Sequence, residues 1–312
     1  VNDEKIAAAT KGRTQMEAMI TAATNADEVI KKNLDKEVYT AEELNAITST
    51  DPTVTQSKQI MKQMLSYGLP VADLKVEIQK ELDGAMSQLN GENLKQDYRK
   101  VLGDNPNDIK DTKYGNANVK GPDLDGALHG THVSGIIAQI KGNGIGGDGV
   151  VRDNVEIMAI RAVPDGDEYD KDIALAIRYA VDNGAKVING SFGKDFSPQK
   201  EWVFEAIKYA ASKDVLIVHA AGNDSKNIDV EPNVPTDEIN NIEFADNLLT
   251  IGALNFEYGP KMVASFSNFG KTNVDIFAPG KDVYATLPDG KYRLLSGTSM
   301  ASPNVAGVAA LI

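Results

Sequence analysis

Cysteine is absent from the 312 residues of the chain, and histidine occurs only three times, as His129, His132 and His219. Without a thiol the chain can form neither a disulfide scaffold nor a thiolate nucleophile, and it cannot bind zinc or an iron–sulfur cluster through cysteine. Any reaction that needs an imidazole base must use one of the three histidines. No stretch approaches the roughly 18 consecutive apolar residues of a membrane-spanning helix.

Positive charge is also scarce, with 32 Lys and Arg against 45 Asp and Glu, which gives a net charge of −13. Binding to nucleic acid depends on a basic surface and on counterion release, so this balance argues against a nucleic acid as partner. Hydrophobic residues make up 42% of the chain, enough to fill one large core or two smaller ones. The composition therefore predicts a globular protein that does not bind nucleic acid.

The first hundred residues differ in composition from the rest of the chain. They are rich in Ala, Lys, Glu, Gln and Met, which favour helices, and the segment Thr40–Glu43 has the form of a capping box. Leu74, Ile78 and Leu82 recur at helical spacing. We therefore predict an α-helical region over residues 1–102, whose apolar stripes are packing faces.

Residues 103–312 alternate, after a polar loop, between apolar strands and amphipathic helices. The predicted strands are Val155–Val163, Lys186–Asn189, Val215–His219, Leu248–Ile251 and Val274–Phe277, and two of the predicted helices are Asp170–Asn183 and Pro198–Lys213. Such alternation is typical of an α/β fold in which a parallel sheet is flanked by helices on both faces. The functional site is then expected at the carboxyl ends of the strands.

Three short segments combine chemically useful side chains with small neighbours. His129 begins the segment HGTHVSG, Asn223 ends the segment AAGN after a predicted strand, and Ser299 lies in SGTSMASP, where a helix is predicted to begin. Unpaired amides and the helix dipole at such a helix start stabilise negative charge. A serine, a histidine and an asparagine in these positions can supply the nucleophile, general base and oxyanion donor of acyl transfer.

These segments resemble the His and Ser motifs of the subtilisin-like serine proteases (subtilases, the peptidase S8 family), and they occur in the family's order. The resemblance covers roughly residues 120–312 and implies a serine endopeptidase that works through an acyl-enzyme. It implies that Ser299 is the nucleophile and that His129 is its general base. It also implies that Asn223 forms the oxyanion hole with the backbone amide of Ser299.

The resemblance assigns substrate-binding residues as well. One segment resembles the strand that pairs with the substrate backbone, and a second forms the opposite wall of the primary specificity pocket; the two segments comprise Ser191, Phe192, Gly193, Ala220, Ala221 and Gly222. None of these residues is charged. We therefore expect an apolar or neutral side chain at P1, the substrate residue before the scissile bond, while the pocket floor has no assigned residue.

The other two histidines have structural interpretations. In the family the second histidine of the His motif is structural, which implies the same role for His132. His219 lies on a predicted buried strand and has no role in the family, so a satisfied core histidine is expected there.

The carboxylate of the catalytic triad is missing from the recognisable motifs. In subtilases it lies in an Asp-(Ser/Thr/His)-Gly motif at the end of an apolar strand, and no such motif precedes His129. Asp111 is the nearest alternative, although Lys113 replaces the glycine and no apolar strand precedes it. Asp123 and Asp125 lie in a loop, where shaping the surface or binding a cation is the expected role.

The ends of the chain suggest an explanation for the missing motif. The chain begins at Val1 without Met and ends inside the apolar run Val308–Ile312, so we expect a fragment of a longer protein. The Asp strand would precede Val1, and residues 1–102 would be an insertion between the Asp and His segments. A propeptide or an unrelated leading domain is the alternative. The catalytic region, residues 103–312, would be incomplete at both ends and nearly inactive alone.

Cofactors and partners follow from the same resemblance. No metal is expected in the chemistry, but the loop Lys141–Gly147 follows the His motif where related enzymes often carry a structural calcium ion. The expected partner is a peptide or protein substrate, and self-association could supply a missing strand. The resemblance implies a secreted or cell-envelope protein of bacterial type. The alternative function is a non-catalytic, protease-like module that binds peptides or proteins.

Overall fold

The computed structural model describes residues 18, 20–65, 98–152, 154–164, 168–231, 233–239 and 242–312. Contacts divide the chain into two compact units, Val1–Val101 and Leu102–Ile312. The division lies beside the boundary expected at residue 102. The origin of the first unit as an insertion stays a prediction.

All regular secondary structure that is described in the first unit is helical. Its helices are α1 (residues 20–34), α2 (Ala41–Ala46) and α3 (Pro52–Leu65). The predicted capping box is present at the start of α2, because the amide of Glu43 donates to Thr40 Oγ1 and the amide of Thr40 donates to Glu43 Oε2. The core of this unit comprises Ala23, Ala26, Ile30, Leu44, Ile47, Val54 and Met61. The helix predicted around Ile78 lies outside the described residues.

The second unit contains a four-stranded parallel sheet and two small antiparallel ribbons. The parallel sheet has the order β1-β2-β5-β6, with strands β1 (Val187–Gly190), β2 (Leu216–Ala220), β5 (Leu248–Leu254) and β6 (Ile276–Pro279). One ribbon pairs β3 (Glu238–Ile239) with β4 (Ile242–Glu243), and the other pairs β7 (Val283–Thr286) with β8 (Tyr292–Leu295).

Helices cover both faces of the parallel sheet, as predicted. They are α4 (Leu128–Ala138), α5 (Asp170–Asp182), α6 (Lys200–Ser212) and α7 (Thr298–Ala309). Side chains of β2 alternate between the two faces. Ile217 packs in the apolar cluster that contains residues of α5 and α6, whereas Val218 packs in the cluster that contains residues of α7. The α/β fold class is therefore confirmed.

The strand predicted at Val155–Val163 is wrong. No described strand pairs with this segment, and the side chains of Ile157, Met158 and Ile160 are 44%, 42% and 37% exposed. An apolar run predicts burial, but a strand also requires a neighbour that accepts its backbone hydrogen bonds. Among the described residues this segment has no such neighbour.

Candidate active site

Ser299 lies at the start of α7, as the sequence predicts, beside the carboxyl ends of the parallel strands. It is the second residue of the helix, is half-buried, and follows the cap residue Gly297. Its Oγ donates to the carbonyl oxygen of Ser191 at 3.4 Å, and Ser191 Oγ donates back to the carbonyl oxygen of Ser299 at 2.9 Å. The hydroxyl is thus held against the segment that follows β1, at a helix end that favours negative charge.

A glycine after β6 permits the tight approach of the turn that precedes Ser299. The amide of Gly297 donates to the carbonyl oxygen of Gly280 at 2.8 Å. A Cβ atom on Gly280 would lie 2.7 Å from the carbonyl oxygen of Gly297, which is closer than side-chain carbons come. The APG segment at 278–280 therefore needs glycine at its end for packing against the start of α7.

Asn223 lies three residues beyond β2 and is oriented by the first residue of α7. Its Oδ1 accepts hydrogen bonds from the backbone amide of Thr298 at 2.8 Å and from Thr298 Oγ1 at 3.0 Å. Because a backbone amide can only donate, the oxygen of the side chain must face Thr298. The donor atom Nδ2 is then directed away from that contact, and the residue is exposed. Among the described residues this amide donor has no hydrogen-bond partner.

His129 is the second residue of α4, whose inner face packs against α7. Val133 and Ile136 of α4 and Met300 of α7 belong to one apolar cluster. His129 is exposed as a residue, but the surrounding protein displaces enough water to lower the pKa of its ring, and nearby His132 lowers this pKa further. The ring is therefore neutral at neutral pH, the form that a general base requires.

The structure brings no carboxylate to His129 from among the described residues. The pKa of His129 carries no influence from an Asp or Glu. The carboxylate of Asp111 instead accepts the amide of Asn105 at 2.8 Å and lies 3.9 Å from Lys171 Nζ. Asp123 Oδ1 accepts the amide of Gly126 at 2.8 Å. The nearest sequence alternatives for the triad acid are therefore engaged elsewhere.

Nuclear magnetic resonance of residues 1–312 is expected to show that His129 titrates below the usual histidine pKa of about 6.5. Loss of water around the ring and nearby His132 both disfavour the charged form of His129, and no described carboxylate offsets them. Only three histidines are present, so His129→Gln identifies its signal by subtraction. A midpoint above about 6.5 would instead mean that a carboxylate of this chain faces the ring.

The two predicted pocket walls lie side by side because they follow neighbouring parallel strands. Strands β1 and β2 are in register with Gly190 opposite His219, so the residues after each strand leave the sheet at the same level. Ser191–Gly193 and Ala220–Gly222 are thus adjacent, as expected from the resemblance, and their substrate-binding role stays a prediction.

Asn233 lies between these two walls, a contact that no sequence motif predicts. Its Nδ2 donates to the carbonyl oxygens of Ala220 at 3.3 Å and Ala221 at 3.1 Å. A Cβ atom on Gly193 would lie 2.8 Å from the same side-chain nitrogen. Reciprocal backbone hydrogen bonds between Lys194 and Val234 fix the segment that carries Asn233. Asn233 is therefore the candidate for the pocket floor, and this role stays a prediction.

His132 is fully buried, and its Nε2 lies 3.0 Å from the carbonyl oxygen of Arg293 in β8. Burial lowers its pKa. The ring thus links α4 to the β7–β8 ribbon, which agrees with a structural role.

The loop expected to hold calcium directs its side-chain oxygens inward. Asn143 Oδ1 accepts the amide of Ile145 at 2.9 Å, and Asp148 Oδ1 accepts the amide of Gly142 at 3.0 Å. Within the described ranges no three His, Asp or Glu side chains form a group that could hold a metal ion. A structural calcium ion stays a prediction, and it would depend mainly on carbonyl oxygens.

Comparison with protein families gives one match that covers most of the chain. The sequence model of the peptidase S8 subtilase family matches residues 72–312. This match begins earlier than the roughly 120–312 covered by the recognisable motifs, and it includes part of the region predicted to be helical.

Three relatives match a shorter part of the chain than the family model does. A thermophilic serine proteinase of Bacillus sp. (strain AK1) is 42% identical over 185 residues, 59% of this chain and 42% of the relative. An intracellular serine protease of Paenibacillus polymyxa is 36% identical over 59% of this chain and 53% of the relative. A cell wall-associated protease of Bacillus subtilis (strain 168) is 40% identical over 61% of this chain and 19% of the relative. The chain thus spans about half or less of these relatives.

Proposed function

The chain belongs to the subtilase family, and we propose that it is the catalytic region of a serine endopeptidase that hydrolyses peptide bonds through an acyl-enzyme. The hydroxyl oxygen of Ser299 attacks the peptide carbonyl while its proton passes to His129. The protonated ring then gives that proton to the leaving amine as the peptide bond breaks. Water attacks the resulting ester by the same route, with His129 again as base, and releases the acid.

The observation that supports this proposal best is the orientation of Asn223. The acyl-transfer transition state carries negative charge on the former carbonyl oxygen, and donors aimed at that oxygen lower the barrier. Thr298 binds the oxygen end of the Asn223 amide, which frees the Nδ2 donor next to the helix start that presents the amide of Ser299. Ser299 must also turn its hydroxyl from the carbonyl of Ser191 towards His129 before it reacts.

The oxyanion role predicts that Asn223→Ala and Asn223→Asp both lower kcat about 10²- to 10³-fold with little change in KM, a magnitude taken from subtilisin, a member of the same family. The aspartate variant is the sharper test, because its oxygen can still accept from Thr298 while the donor is lost. Steady-state hydrolysis of a peptide by the full-length protein measures both constants. If Asn223→Asp kept the wild-type kcat, Asn223 would serve only to accept hydrogen bonds from Thr298 and would not be an oxyanion donor.

The triad carboxylate is proposed to come from a strand that precedes residue 1 in the full-length protein, with residues 1–102 inserted between that strand and α4. This proposal is supported by the absence of the Asp motif before His129 and by the apolar segment 155–160, which pairs with no strand that the structure describes. The upstream sequence tests it directly. An Asp-(Ser/Thr/His)-Gly strand there is the expected result, and its absence would make the helical region a leading domain instead.

With Asn233 as the pocket floor, we predict that the enzyme prefers substrates with a small, neutral residue at P1. The walls and Asn233 carry no charge, and the amide already occupies the space between the walls. Asn233→Gly should therefore raise kcat/KM for substrates with Leu or Phe at P1 roughly 10- to 100-fold relative to substrates with Ala at P1. This is the usual effect on kcat/KM when an apolar pocket gains room for a larger side chain. A series of tetrapeptide substrates that differ only at P1 measures this change.

Asn183→Gly is the matched control for that series. Asn183 follows α5 at the opposite edge of the sheet from the site, where its side chain only caps the helix. It should leave the P1 preference unchanged. A wild-type preference for Lys or Arg, or an unaltered preference in Asn233→Gly, contradicts the proposed pocket.

The proposed setting is outside the cell or in its envelope, with peptides or proteins as substrates. One relative is named a cell wall-associated protease, and another is named an intracellular serine protease. In the described part of the chain no helix is long and apolar enough to cross a membrane. Fractionation of cells that produce the full-length protein tests the compartment.

A further inference from the structure

His219 is a buried titratable residue that the proposed reaction does not use. It lies on β2 with 1% of its surface exposed, opposite Gly190 of β1. Its Nε2 lies 2.6 Å from the carbonyl oxygen of Phe192, and its ring meets the Phe192 ring edge-on with 6.1 Å between centroids. The buried ring of His219 therefore contacts the middle residue of the Ser191–Gly193 wall.

The hydrogen bond fixes the protonation of the His219 ring. A carbonyl oxygen can only accept, so Nε2 must carry the proton. Burial lowers the pKa of His219 to about 4, so the ring is neutral at neutral pH and Nδ1 carries no proton. In the described part of the chain Nδ1 has no hydrogen-bond partner. The single polar contact of this buried ring is thus its donation to Phe192.

The hydrogen bond from His219 to Phe192 holds a segment that the hydrogen bonds of the sheet do not reach. The β1–β2 ladder ends at Gly190, so the backbone of residues 191–193 receives no further ladder hydrogen bonds from β2. The segment is held instead by Ser299 at Ser191, by His219 at Phe192, and at its far end by Glu168, whose Oε1 accepts the amide of Gly193 at 3.3 Å. Of these, only the contact from His219 fixes the centre of the segment.

We propose that His219 is a positioning residue, which holds the carbonyl of Phe192 so that the Ser191–Gly193 segment keeps the extended shape that pairs with a substrate backbone. This inference rests on the proposed endopeptidase function. It predicts a role that grows with substrate length, because a long peptide pairs with the segment whereas a small ester reaches only Ser299. It also predicts that a neutral donor of similar reach can replace the imidazole.

The test compares His219→Leu with His219→Gln in the full-length protein, using a hexapeptide amide and a small nitrophenyl ester. His219→Leu should raise KM for the hexapeptide about tenfold, the worth of one buried hydrogen bond, and change ester hydrolysis less than about threefold. His219→Gln should return the hexapeptide KM to within about threefold of wild type, because its Nε2 donor reaches a similar point. If the leucine variant does not fold, His219→Asn replaces it, since the shorter amide does not reach Phe192.

Equal losses on peptide and ester in both variants would make His219 a purely structural residue, and unchanged kinetics in both would remove any role. A fluorophosphonate that labels Ser299 at the wild-type rate in each variant shows that the reaction centre is intact. Wild-type protein that is folded but neither labels nor hydrolyses the ester would overturn the proposed function itself. The two failures are therefore distinguishable.

Discussion

Replacement of Ser299 by alanine in the full-length protein is expected to lower kcat for peptide hydrolysis about 10⁶-fold, the size of loss seen when the nucleophile of subtilisin, a member of the same family, is removed. The alanine keeps the helix start, because Thr298 and its contacts with Asn223 are untouched. The backbone amide of the residue also remains. The loss thus reports the missing hydroxyl, and a continuous peptide assay with active-site-titrated wild type measures it.

Ser296→Ala is the matched control for this substitution. Ser296 is an exposed serine three residues earlier, and among the described residues its hydroxyl hydrogen-bonds to Asp282 alone. Its removal should leave kcat within about twofold of wild type, as expected for surface substitutions. Substantial activity in Ser299→Ala would require another nucleophile, which would overturn the assignment.

Residues 1–312 alone are expected to hydrolyse peptides roughly 10⁴-fold more slowly than the full-length protein, close to the cost of removing the triad aspartate from subtilisin. His129 has no described carboxylate partner, so its ring is neither oriented nor stabilised when it takes the proton. The remaining activity comes from the oxyanion donors and from substrate binding. Rates for both proteins, divided by the concentration of folded enzyme, test this expectation.

Asp111→Asn in residues 1–312 provides the control for the missing carboxylate. Asp111 is already bound to Asn105 and Lys171, so its removal should not lower the residual rate further. Equal rates for the short and full-length proteins would contradict the account. If Asp111→Asn then abolished the activity, Asp111 would be the triad acid.

The sequence predicts those parts of the site that depend on neighbours along the chain. The start of α7 at Thr298 follows from a glycine, hydroxyl residues and an apolar run, and it places Ser299 at a helix end. The end of β2 follows from an apolar run that stops before Ala221 and Gly222. These local patterns suffice to put Ser299 and Asn223 at the same edge of the sheet.

Contacts between distant segments are what the sequence could not predict. Asn233 lies in a long polar stretch, and only the folded chain brings it back between Gly193 and Ala221. The contact from His219 to Phe192 likewise joins residues 27 apart. The strand predicted around residues 155–160 was wrong for a related reason. Hydrophobicity predicts burial, but it does not show whether another strand lies beside the segment.

Ser299 is proposed to be a nucleophile that is activated within a subtilase site. Its most direct test is to treat the folded full-length protein with a fluorophosphonate and to map the adduct by mass spectrometry. We expect a single covalent adduct on the peptide that contains Ser299, with none in Ser299→Ala. A folded protein that forms no adduct at Ser299 would contradict the claim and would favour a protease-like module that binds peptides without cleaving them.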